Sequence, residues 1–315
     1  MKRESMEKIL VTGVAGFIGS NVASRFLQEG YSVVGVDDLS GGHLDNIPEG
    51  IEFIKGDLAL ASTIAMLPSD CRQILHLAGQ SSGEISFDDP IADLEKNTVS
   101  TLNLIRYGIE NKIERLVYAS SMSTYGAVPD EAISESHECR PLSCYGVGKH
   151  TSEGYLRVYQ GKLPSVALRM FNVYGPGQDL SNLRQGMVSI YLAQALANGQ
   201  IEVKGSTDRF RDLIFIDDVV EAWFRASTNS SALGQTLNLG TGVKTTVGGL
   251  LEMVCELVPG SSYFVQGATP GDQSGIFADV TKLNNSLGMK SFVPVDIGLR
   301  KFVEWARKSK FSLTK

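Results

Sequence analysis

Short apolar runs alternate with stretches of helical period along the first half of the chain. Lys8-Ile9-Leu10-Val11-Thr12 is the first run, and it stops abruptly at Gly13-Val14-Ala15-Gly16-Phe17-Ile18-Gly19. Ser20 to Glu29 then carries helical spacing and closes on Gly30, a helix-ending signal. Further apolar runs follow at Tyr31 to Val36, Ile51 to Lys55, Gln73 to Leu77 and Arg115 to Ala119. Helical stretches lie between them, notably Asp89 to Ile109. This alternation predicts an α/β fold, a doubly wound parallel sheet with helices on both faces. The later runs end in polar or glycine clusters: Asp37-Asp38, Gly56-Asp57-Leu58, Ala78-Gly79-Gln80 and Ser120-Ser121. Ligands of such sheets bind beyond the carboxyl ends of the strands, so these clusters mark the candidate site.

Bulk composition then removes several function classes. The 315 residues are 43% hydrophobic and 20% charged, enough for one large domain or two interleaved ones. A net charge of −6 and a pI near 5.4 argue against a nucleic-acid partner, which needs a clustered basic face. No apolar run approaches the roughly 20 residues needed to span a bilayer, so no membrane role is expected. Cys71, Cys139, Cys144 and Cys255 form no C-x-x-C pair, and Met1 to Glu7 reads as a polar tail, which together predict a reducing cytoplasmic setting. His43, His76, His137 and His150 share no metal-ligand spacing, and no metal site is expected.

The first strand–turn–helix–strand unit carries chemistry. Of its three glycines, the first permits a tight turn and the second lets the backbone approach a pyrophosphate. The third packs helix on strand, and the phosphates sit on the helix N-terminus. Asp37 follows about 20 residues later, where a carboxylate accepts hydrogen bonds from ribose hydroxyls and repels a 2′-phosphate. Strand, spacing and acid together predict an NAD site rather than an NADP site. Downstream, Tyr145 and Lys149 share one face of a helical segment. A nearby ammonium favours the phenolate, and a phenolate beside a hydride acceptor can take the proton of an alcohol under oxidation. Tyr-x-x-x-Lys alone is usually a solvated helix face; the dinucleotide motif gives the pair a task.

The motifs together resemble those of the extended short-chain dehydrogenase/reductases, in particular the nucleotide-sugar epimerase/dehydratase branch. The matching stretches are Thr12-Gly13-x-x-Gly16-x-x-Gly19, Val36-Asp37-Asp38-Leu39-Ser40, Gly56-Asp57-Leu58 and His76-Leu77-Ala78-Gly79-Gln80. They continue with Asn97 before Thr101-Leu102-Asn103-Leu104, then Ser121-x-x-x-Tyr125-Gly126 and Tyr145-x-x-x-Lys149. The last are Arg169-Met170-Phe171-Asn172-Val173-Tyr174-Gly175-Pro176 and Arg211-Asp212-Leu213-x-x-Ile216-Asp217-Asp218-Val219.

This resemblance implies a Rossmann-type NAD-binding domain over residues 7–168, regaining about 213–240, and a smaller C-terminal α/β nucleotide-sugar-binding domain over 169–212 and 241–315. It implies NAD contacts from Gly13, Gly16, Phe17, Ile18, Gly19, Asp37 and Asp38. Asp57, Leu58, Leu77, Ala78, Gln80, Asn97, Tyr145 and Lys149 complete that set. Ser121, Tyr145 and Lys149 become the catalytic trio: Tyr145 the general base, Ser121 the partner of the reacting sugar oxygen, Lys149 the holder of the nicotinamide ribose. Ser121, Asn172, Arg211 and Asp272 become contacts of a UDP-sugar. A homodimer is implied, with Asp89–Ile109 and Tyr145–Gln160 as its candidate helices.

Departures from the family pattern sharpen the expectation. The branch's 4,6-dehydratases carry Asp-Glu after the catalytic hydroxyl, because elimination needs an extra acid and base, and its decarboxylases keep the Glu. Met122-Ser123 supplies neither, which favours 4-epimerisation through a transient 4-keto sugar. Thr269 stands where many relatives have a second diphosphate-binding Arg, leaving Arg209, Lys204 or Arg184 as substitutes. Ile276 stands where relatives limit the bulk of the sugar, leaving acceptance of an N-acetyl group open. Tyr125 is given no chemistry. Asp217-Asp218 reads as an acidic helix start and Cys139 and Cys144 as small buried thiols. The competing readings are a nucleotide-sugar 4-ketoreductase, which would consume coenzyme, and a non-catalytic NAD-binding sensor, which would not need the intact trio.

Overall fold

The computed structural model describes residues 6–267 and 274–309. Its first strand, β1 (Lys8–Thr12), explains why the opening run is apolar throughout. Ile9 and Val11 point into a core that contains Phe26 and Trp223, whereas Leu10 points into a second core with Leu104 and Leu156. A strand buried on both faces has no polar side to show, and complete burial of each such side chain contributes about 1.5–3 kcal/mol.

Four more strands follow: β2 (Ser32–Asp37), β3 (Glu52–Lys55), β4 (Gln73–His76) and β5 (Arg115–Ser121). With Ser165–Met170 and Thr236–Leu239 they form one seven-stranded parallel sheet. Reading from one edge, the order is Thr236–Leu239, Ser165–Met170, β5, β4, β1, β2, β3. The chain changes direction of travel at β1, which lies between β2 and β4, so a crevice opens beyond their carboxyl ends. Thr12, Val36 and His76 stand in register there.

The helical run expected over Asp89–Ile109 is not one regular helix. Pro90–Leu94 is α-helical, Glu95–Val99 is a π turn, and Ser100–Glu110 resumes the α-helix. At the π turn the Asn97 carbonyl accepts from the hydroxyls of Thr101 (2.7 Å) and Ser152 (3.0 Å). Ser152 belongs to the neighbouring Cys144–Tyr159 helix, so tertiary bonding accompanies the widened turn.

A smaller four-stranded sheet, in the order Thr245–Thr246, Phe210–Arg211, Gly275–Ala278, Ala132–Ile133, lies beside the main one. Tyr125, Ile133, Phe171, Ile276 and Ala278 fill its own apolar cluster. Asp212, fully buried, fastens it: its carboxylate accepts from the backbone of Thr241 (2.8 Å), Gly242 (2.9 Å) and Ala278 (3.1 Å) and from the Thr241 hydroxyl (2.6 Å). One side chain thus satisfies three loop and strand amides that burial would otherwise leave unpaired.

Candidate active site

The glycine turn after β1 leaves no room for side chains. Gly13 has φ +71°, and a Cβ on it would stand 2.7 Å from the Ala78 nitrogen. A Cβ on Gly19 would come within 2.0 Å of the Gly13 carbonyl oxygen. The helix Phe17–Gln28 starts directly after Gly16 with no side-chain cap, so its first N–H groups face the crevice unclaimed. Leu77 and Ala78 donate their N–H groups to the Thr12 hydroxyl (3.2 and 3.1 Å), which brings the β4 loop against the same turn. At the end of β2, buried Asp37 accepts from the amides of Ala15 (3.0 Å) and Leu39 (2.8 Å). Burial raises its carboxyl above the usual range, and those two amides pull it back. Asp38 pairs with Lys96 (2.6 Å).

These elements enclose a cleft of about 560 Å³. Gly13, Gly16, Phe17, Ile18, Gly19, Asp37, Asp38, Asp57, Leu58, Leu77, Ala78, Gln80, Tyr145 and Lys149 all line it. Asn97 lies behind that wall, 1% exposed, with its side-chain oxygen unpartnered. Gly79 has to be glycine beside it, since a Cβ there would stand 2.5 Å from that oxygen and 3.2 Å from the Lys149 ammonium. The opposite wall, Gly177, Gln178, Asp179, Asn182 and Gln185, carries no motif and was not anticipated. A glycine cradle, an acid at the second strand end and open helix N–H groups fit a dinucleotide.

Tyr145 and Lys149 occupy the first turns of the Cys144–Tyr159 helix, whose start is capped by Ser143 accepting from the Gly146 amide (3.1 Å). Ser121 ends β5; its hydroxyl accepts from the Ser123 amide (3.1 Å) and favours the ionised form of the Tyr145 phenol. Tyr145 and Lys149 therefore line the crevice, with Ser121 beside the phenol. The expected charge balance is not found: burial raises the Tyr145 phenol above its ordinary value, Ser121 draws it back, and Asp93 pushes it further up. Lys149, 3% exposed, is itself pulled down to about 8 by burial, against a raising influence from Asp93. Its ammonium lies 5.6 Å from the Tyr145 ring and 5.1 Å from the Tyr118 ring. In the protein alone, desolvation of the phenolate outweighs the Ser121 hydroxyl.

The expected sugar contacts divide. The Asn172 amide reaches the Met122 sulfur (3.5 Å), which brings it beside the Ser121 loop. Arg211 donates to the Phe210 carbonyl (2.8 Å) and lies near Arg209, whose charge, after burial, lowers its pKa. Asp272 and Thr269 lie outside the described residues. Arg184 is committed elsewhere, to Glu84 (3.0 Å) and Asp88 (2.9 Å). Ile276 is 4% exposed and packs with Tyr125 and Phe171 in the smaller sheet's cluster, away from the residues lining the dinucleotide cleft. Tyr125 is fully buried, its hydroxyl donating to Asn238 (2.6 Å). Asp217 pairs with Lys301 (3.1 Å) and Asp218 accepts from the Val293 amide (2.8 Å), both structural tasks. The four cysteines are free, and burial raises the Cys139 thiol, which works against reactivity.

Two buried acids near the trio were missed. Asp93 stands one helical turn before Asn97, and Glu153 one turn after Lys149, where it binds Arg169 (2.9 and 2.7 Å) and the Ser120 hydroxyl (2.5 Å). Spacing of i, i+4 from a candidate site residue was the available signal.

A parallel sheet with its cleft at the crossover, a glycine cradle and a buried Ser–Tyr–Lys group define a Rossmann-type dinucleotide enzyme. Residues 9–240 match the model of the NAD dependent epimerase/dehydratase family, and the chain belongs to that family, whose cofactor is NAD. It is 35% identical over 311 residues to a UDP-glucose 4-epimerase of Mycolicibacterium smegmatis, covering 95% of this chain and 98% of that one. The crystal structure of UDP-glucose 4-epimerase from Thermotoga maritima with UDP-glucose superposes with a TM-score of 0.91 at 30% identity, over 96% of this chain and 99% of that one. A Thermus thermophilus UDP-glucose 4-epimerase complexed with NAD gives 0.86 at 32%, over 95% and 99%.

Proposed function

We propose that the protein interconverts C4 epimers of a UDP-hexose or UDP-N-acetylhexosamine through a transient 4-keto sugar. The observation that carries this reading is that Tyr145 and Lys149 line the cleft with the Ser121 hydroxyl acting on the Tyr145 phenol, while Met122-Ser123 follows Ser121 and offers no acid pair to drive elimination. Tyr145 takes the C4 hydroxyl proton and later returns it. Ser121 hydrogen-bonds the same sugar oxygen and holds it toward the phenol. The Lys149 cation opposes the burial penalty on the phenolate, and the glycine turn with Asp37 holds the dinucleotide. Bound NAD supplies the acceptor and donor of the C4 hydride and a positive ring beside the phenol. Binding through the nucleotide half, with Asn172 and Arg211 as contacts, leaves the hexose free to turn between the two hydride transfers.

The same reading includes a cytoplasmic homodimer. The free thiols fit a reducing compartment, and no helix among the described residues is long and apolar enough to cross a membrane. Ile91, Leu94, Val147 and Val158 are 65%, 45%, 50% and 75% exposed on the Pro90–Leu94 and Cys144–Tyr159 helices, an apolar surface suited to a second copy. The test of function is incubation with a panel of UDP-sugars without added coenzyme, followed by separation of products. A C4 epimer formed to equilibrium supports the reading; product that forms only once reduced coenzyme is added, and consumes it, identifies a ketoreductase.

A further inference from the structure

We propose that Asp93 is a positioning residue of this reaction, a buried anion that anchors Gln80 and Asn97 and sets the pH range in which the Tyr145–Lys149 pair works. The inference rests on the reading of that pair as base and cation.

Asp93 is the penultimate residue of the Pro90–Leu94 helix, just before the π turn; it is 2% exposed and lines the cleft beside Gln80. A carboxylate so enclosed needs donors, and Oδ1 accepts from Gln80 Nε2 (2.9 Å) and from Asn97 Nδ2 (3.1 Å). Among the described residues no cation lies within salt-bridge distance of it. The Asn97 amide, having given its N–H to Asp93, leaves its oxygen unpartnered and close to Gly79, beside the point from which the Lys149 ammonium is 3.2 Å away. A buried carboxylate and a buried ammonium therefore flank one neutral amide, whose N–H end faces the anion and whose oxygen end is turned toward the cation's side. Each ion is costly to bury alone, and each offsets part of that cost for the other.

The remaining groups around Lys149 supply little charge. His76 on β4 is neutral, its ring drawn down to about 3 by burial and by Lys149. Tyr118 on β5 is a buried phenol raised further by desolvation. Glu153, one turn along the same helix, is satisfied by Arg169. Tyr145 itself completes the surround. Asp93 is the unneutralised anion here, and it raises both Lys149 and Tyr145. Removing its charge lowers both, so both limbs of the profile move to lower pH together.

Asp93→Asn keeps an oxygen for Gln80 and Asn97 and removes only the charge; Asp93→Ser is the second variant if the first does not fold. The kcat/KM–pH profile of each, and the spectrophotometric titration of tyrosine ionisation in the purified protein with Tyr145→Phe subtracted, are compared with the wild type. The expected result is a displacement of both limbs and of the Tyr145 titration by roughly 0.5–2 units toward acid, the range for one unit charge a little beyond contact. Asp93→Glu should restore the wild-type profile. An unmoved profile and titration overturn the proposal, as does a uniform loss of rate at every pH with the titration unchanged. If Tyr145→Phe retains near-normal turnover, the reading of the base fails instead, whatever Asp93 does.

Discussion

Replacing Glu153 with alanine takes the anion out of a buried pair directly beneath the catalytic strand end. Glu153 and Arg169 are 8% and 5% exposed, joined by two hydrogen bonds of 2.9 and 2.7 Å. Glu153 also accepts from Ser120, which neighbours Ser121 and stands in register with Arg169 on the next strand. The guanidinium lies 4.7 Å from the centre of the Tyr125 ring and already has one nitrogen without a partner. Loss of the carboxylate leaves a buried cation with no anion and a buried hydroxyl with no acceptor. Breaking a buried pair this way costs about 3–5 kcal/mol. Urea unfolding monitored by circular dichroism should therefore show a lower midpoint with an unchanged slope. Glu153→Leu combined with Arg169→Met should recover most of the loss, because an apolar pair of similar volume needs no compensation. A single-variant cost under about 1 kcal/mol, or a double variant as unstable as the single, would refute the reasoning. The pair also carries a pH signature. Arg169, His150 and Ser120 hold the Glu153 carboxyl at about 2, below its ordinary 4.5. Its contribution is complete above the ordinary value and is lost as pH falls from about 4.5 through about 2. The double variant should lose less stability over that window than the wild type.

Tyr145→Phe should fold and bind NAD yet lose at least about 10²-fold in turnover, the scale of general base catalysis, and single-turnover assays check it. Gly19→Ala should lower the NAD content of the purified protein by about tenfold or more, because the added methyl meets the Gly13 carbonyl oxygen at 2.0 Å; supernatant coenzyme after denaturation reports it.

Much of this arrangement is legible without coordinates because it depends on local rules. Gly13, Gly16 and Gly19 announce a close-packed turn, and β1 to β4 fall within one or two residues of their apolar runs; β1, β2 and β4, buried within the sheet, leave no polar side to show. Tyr145 and Lys149 share a helix face by spacing alone. The remainder depends on partners distant in sequence. The π turn at Glu95–Val99 involves Ser152, 55 residues from Asn97, and spacing over Asp89–Ile109 is equally consistent with an unbroken helix. The burial of Ile276 beside Tyr125 and Phe171 depends on a strand pairing that its sequence neighbours do not announce. The phenol's direction of shift depends on a balance between burial and two neighbours, Ser121 and Asp93, which no spacing rule resolves. Arg169 and Glu153 each appear as ordinary polar residues until helix and strand bring them together.

The claim that most needs a direct test is that the C4 hydride leaves the sugar and returns to it within one protein molecule. UDP-glucose deuterated at C4 of the hexose, incubated with the enzyme in ordinary water without added coenzyme and followed by NMR, measures this. Epimerisation through a 4-keto sugar with the hydride held in the site should yield UDP-galactose that keeps its deuterium at C4. Loss of the label to water, or product that forms only when reduced coenzyme is added, would contradict it.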